Sequence, residues 1–130
     1  MKLSEAILLG SIGSEQGFGP SSMQTNSPRK CAMGSALLAV GIMTDNDDMD
    51  KLTPIWPWVS VEVAPPVDLV DYKGCTKIIE KATIPGIIWR LNDILKWTRP
   101  QIAAWVATQE AIYDVQPVEQ PIMESTLVTR

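Results

Sequence analysis

Cys31 carries the sharpest chemical possibility in the chain. It falls in the first or second turn of a helix expected to start near Ser27 and Pro28, where free amides and the positive dipole end lower a thiol pKa. A cysteine nucleophile also needs a base, and the sequence holds no histidine. Asn92 or Asp93 could orient a base but would replace one poorly. Cys31 is therefore a weak nucleophile candidate, read first as a small buried apolar residue. Cys31 and Cys75, with no histidine, cannot close a tetrahedral zinc site within one chain. The acidic run from Thr44 to Lys51 fails as a calcium loop: counted from Asp45, Met49, Asp50 and Trp56 occupy the fifth, glycine and twelfth positions. Gly10-Ser-Ile-Gly13 and Gly17-Phe-Gly19 lack the strand and the lysine that a phosphate loop requires. No carboxylate spacing singles out a pair. No catalytic residue, metal ligand or cofactor is assigned.

The remaining candidates are binding or junction residues. Asn92 and Asp93 lie where a third helix meets the corner at Trp97 and Thr98, and are expected to bond backbone groups there rather than a ligand. Trp56 and Trp58, flanked by Pro54 and Pro57, either cover the core, the favoured reading, or form a recognition patch.

These side chains must be positioned by short elements. Ser4 is the expected N-cap of a first helix that Gly10 stops, with Leu3 and Leu8 at the staple positions. Ser11 to Lys30 reads as a loop in which Phe18, between two glycines, plugs the core. The second helix runs to about Val40. From Cys31 to Met43 only Ser35 is clearly polar, so this helix is expected to be the buried central element, with Gly34 admitting a close neighbour. Trp58 to Val63 alternates like a half-buried strand, and Val67 to Tyr72 could return beside it. Thr76 to Ala82 reads as a short helix interrupted by Pro85-Gly86. In Gly86 to Leu95, the side chains of Ile87, Ile88, Leu91 and Leu95 share a helical face. Thr98 and Gln101 form a capping box for the last helix, whose buried stripe is Ile102, Trp105, Val106 and Tyr113.

The expected fold is mainly α: four to five short helices around a buried central helix, with a small two-stranded β ribbon. Residues 1–114 form one globular domain and residues 115–130 a flexible or edge-bound tail. At 130 residues, 45% hydrophobic and 20% charged, the chain can bury a sizeable core. A net charge of −4 with no basic run makes nucleic acid an improbable partner. No apolar stretch approaches the roughly 20 residues that cross a bilayer. With few cysteines and no clear signal peptide, the cytoplasm is the expected location.

The chain resembles a loosely defined group of small uncharacterised proteins from tailed phages, prophages and bacterial genomes. The residues that carry the likeness are Met1 to Ile7, Gly17-Phe18-Gly19, Cys31-Ala32-Met33-Gly34, Leu91-Asn92-Asp93, Trp97-Thr98-Arg99 and Gln101-Ile102-Ala103-Ala104-Trp105-Val106. The resemblance implies a phage or mobile-element context and brings no activity with it. Members of the group often carry histidine where Leu95 stands, and a second cysteine near Cys75. Any site those residues make in relatives is missing from this sequence.

The leading expectation is a small, non-enzymatic accessory protein that binds another protein, such as a host factor, or assembles with itself. The alternatives are a cysteine- or carboxylate-dependent enzyme on a small substrate, and a weak nucleic-acid-binding module.

Overall fold

A computed structural model describes residues 1–44 and 51–113. Four α-helices dominate the described residues, accompanied by two small two-stranded sheets. The fold is mainly α with a minor β component.

α1 spans Leu3–Ser11, and its Leu3, Ala6, Ile7 and Gly10 form one buried face. Lys2, not Ser4, is the N-cap: the Glu5 carboxylate accepts from the Lys2 amide at 2.7 Å. Ser4 lies inside the helix because Glu110 of the last helix takes both its amide and its hydroxyl. Gly10 does not stop α1 either. A Cβ there would overlap the Ser35 carbonyl, so the glycine lets two helix backbones approach. Leu8 is 45% exposed and forms no staple with buried Leu3.

β1 (Glu15–Gln16) pairs in parallel with β2 (Arg29–Lys30), separated by a 3-10 turn at Pro20–Met23. This pairing delays α2, which spans Ala32–Ala39 instead of starting near Pro28. Cys31 is consequently the N-cap itself. Ala32 to Leu37 are all buried, and α2 packs on α1, α3 and α4, so the central position holds for its first six residues. Leu38, Ile42 and Met43 are exposed. A Cβ on Gly34 would overlap the Ser22 carbonyl, which identifies the close neighbour as the 3-10 turn. Phe18 does not plug the core: it is 46% exposed, with Lys96 Nζ 4.2 Å from its ring centroid.

The alternating stretch Trp58 to Val63 begins as a second 3-10 turn, Pro57–Ser60, and only Glu62–Val63 forms a strand, β3. Its antiparallel partner is β4, Ala82–Thr83, not Val67 to Tyr72. The expected helix over Thr76 to Ala82 is absent. Val70 and Ile78 form an isolated antiparallel bridge, and the Ile79 amide bonds the Leu69 carbonyl at 2.9 Å. β-Branched Thr76, Ile78 and Ile79 favour extended backbone, and Gly74, at φ 88°, lets the chain reverse before them.

α3 spans Ile84–Asp93. Thr83 caps it by accepting from the Gly86 amide at 3.3 Å, so Pro85-Gly86 opens the helix and interrupts nothing. Ile84, Ile87, Ile88 and Leu91 are buried, whereas Leu95 lies past the helix end and is exposed. α4, Arg99–Ile112, has the expected Thr98–Gln101 capping box and buries Ile102, Trp105 and Val106; Tyr113 closes the helix and is exposed. Arg99 meets Ser11 and Ser14 at one end of α1 while Glu110 meets Ser4 at the other, so α1 and α4 run antiparallel. Asp45 to Asp50 of the acidic run and the tail at 115–130 lie outside the described residues.

Candidate functional site

Cys31, Asn92 and Asp93 converge at the N-terminus of α2, joined by residues that the sequence did not single out. A helix start leaves its first amides without intrahelical partners. At α2, Asn92 Oδ1 accepts from the Ala32 amide at 3.2 Å, and Cys31 Sγ accepts from Gly34 at 3.3 Å. The Ser35 amide bonds the Cys31 carbonyl at 2.8 Å. The place where an anion or a thiolate would be stabilised is thus occupied by protein groups.

The Asn92 side chain is fully used. Its amide donates to the Gly17 carbonyl at 2.9 Å and to Asp93 Oδ1 at 2.7 Å, while Oδ1 also accepts from Gln16 Nε2 at 2.9 Å. Gln16 continues the network to α4: Nε2 donates to the Trp97 carbonyl at 2.7 Å, and Oε1 accepts from the Arg99 amide at 3.2 Å. Asn92 bonds backbone groups as expected, at a junction wider than the Trp97 corner, whereas Asp93 accepts from the Asn92 side chain instead. Trp97 enters through its carbonyl, while its ring packs against the core.

Arg99 is buried and has no carboxylate partner among the described residues. Its guanidinium instead bonds Ser14 Oγ at 2.8 Å, Ser35 Oγ at 3.1 Å, and the carbonyls of Ser14 and Lys30. Buried Lys30 donates to the carbonyls of Gln24 and Thr25 at 2.6 and 2.9 Å. Burial lowers the pKa of both cations. Beyond its place in the Trp97-Thr98-Arg99 likeness, Arg99 had no role assigned from sequence, because a buried arginine with neutral partners has no characteristic spacing.

Burial pushes the Cys31 thiol up, an effect opposed by hydrogen bonds from Ser22 and Gly34. With 4% of its surface exposed, the thiol has little access to a substrate. Such a group is a poor nucleophile, because nucleophilicity requires both the thiolate and an open approach. Among the described residues no group of three or more His, Cys, Asp or Glu side chains could hold a metal. No described helix is long and apolar enough to cross a membrane.

Both tryptophans of the pair pack on the core, to different depths. Trp56 is wholly buried and donates its indole N–H to the Met1 carbonyl at 3.0 Å, so it covers the core. Trp58 is half-buried, 6.5 Å from the Tyr113 ring, and its indole N–H has no partner among the described residues.

A second candidate surface lies on α1. Opposite its buried face stand Glu5, Leu8, Leu9 and Ile12, the last three 45, 48 and 81% exposed. Helical spacing brings these three aliphatic side chains together on one outward face. The helix beneath them is held firmly: α4 caps its start through Glu110, and α2 meets Gly10 in direct contact. Sequence periodicity missed this face, because Leu3, Ile7, Leu8 and Leu9 are too nearly continuous to reveal which side turns inward. No protein-family model, curated protein or solved structure matches the chain.

Proposed function

We propose that the chain acts by binding another protein rather than by catalysis, as a small accessory protein of a phage or mobile element, the context its resemblance implies. The observation that carries this reading is the outward face of α1, where Leu8, Leu9 and Ile12 stay in water on a helix that is otherwise firmly packed. Scattered apolar residues on a surface need no explanation, whereas three adjacent ones on a rigid helix suit a docking partner. A net charge of −4, with Glu5 beside the face, works against a second copy. It favours a partner whose own apolar patch is rimmed by basic side chains. The closed state of the Cys31 junction supports the non-catalytic half of the reading.

The test is photo-crosslinking inside the host cell from a reactive side chain placed at Leu9. The expected result is one dominant crosslinked protein that disappears when Ile12→Asp is added and persists when Lys77→Asp, at an exposed position outside α1, is added. Equal crosslinking with and without Ile12→Asp would overturn the reading. So would a crosslinked product consisting of two copies of this chain, confirmed as a dimer by light scattering.

A further inference from the structure

We draw no further inference here: the strongest candidate, the buried Cys31 thiol at the N-terminus of α2 within electrostatic reach of Arg99 and Lys30, is a lone cysteine whose neighbouring amides and cations already bond protein groups, and nothing among the described residues points to a ligand for it.

Discussion

Asn92 is the side chain on which most of the structure converges. Replacing it with alanine removes the partner of the Ala32 amide and of the Gly17 carbonyl in a buried environment, while Gln16 keeps its bonds to Trp97 and Arg99. The expected cost is about 2–3 kcal/mol, because leaving buried polar groups unpaired costs more than a made hydrogen bond gains. The midpoint of urea unfolding for Asn92→Ala checks this, and a loss within experimental error would mean that water replaces the amide. Lys96 offers a finer test, being the one described non-glycine residue with a positive φ, 58°. Left-handed backbone costs a side-chain-bearing residue about 1 kcal/mol, while an exposed cation–π contact such as that with Phe18 returns about 0.5–1 kcal/mol. Lys96→Gly should therefore be near neutral, and Lys96→Ala less stable than Lys96→Gly by about 1 kcal/mol, the gap between alanine and glycine in that conformation. Thermal unfolding of the two variants side by side decides it. The thiol of Cys31 makes a third prediction. Its raised pKa keeps it protonated in the fold at pH values where the unfolded chain ionises. Its contribution is whole below the ordinary thiol range and falls as pH climbs through about 8.5 and above. Wild type should lose more stability between pH 7 and 10 than Cys31→Ala, measured by urea unfolding at each pH. Lys30 acts in the opposite sense and is common to both proteins.

Among the elements, α1 and α2 are joined by contact that no side chain could share. Gly10→Ala must push a methyl group into the Ser35 carbonyl and should cost about 2–3 kcal/mol, in the range of overpacked cores. Gly13→Ala meets open space and should change stability by less than about 0.5 kcal/mol. Circular dichroism melts of the two variants provide the comparison, and equal melting temperatures would refute the close approach. The contrast shows what was legible before the structure. Thr98 with Gln101 announced α4 plainly, since a capping box depends on neighbours in sequence. Gly34 announced a close packing partner, and the apolar run from Cys31 to Met43 announced the buried helix, though its end from Leu38 on carries exposed side chains. Gly10 read as a stop because its real role depends on Ser35, which only the packing brings near. The helix expected over Thr76 to Ala82 failed for a related reason: a turn at Gly74 and pairing with Leu69 and Val70 outweighed local helical spacing. Phe18 failed because aromatic size suggests burial, while its neighbours turn it toward Lys96. Of the candidate junction, Asn92 and Asp93 were visible as an isolated polar pair. Gln16 and Arg99 were not, since their partners, side-chain and backbone alike, lie far along the chain.

At the scale of the whole molecule, three of the four described α-helices have their starts completed by residues far away in sequence. Glu110 completes the start of α1 across 106 positions, Asn92 that of α2 across 60, and Gln16 that of α4 across 83. Because these bonds turn inward, they serve the architecture of the described residues, while Leu8, Leu9 and Ile12 on the exterior of α1 stay exposed. Ile12→Asp should accordingly leave the unfolding midpoint within about 0.5 kcal/mol of wild type, as exposed substitutions do, while removing partner binding; chemical denaturation beside the crosslinking assay separates the two effects. The reciprocal capping also bears on how the protein is made. A ribosome releases this chain from its N-terminus, so α1 and α2 leave the exit tunnel long before Asn92 and Glu110 have been polymerised. Until then both helices have incomplete ends and an uncovered apolar side, which makes the partly synthesised chain a natural client for chaperones and ties the final structure to the arrival of its last helix.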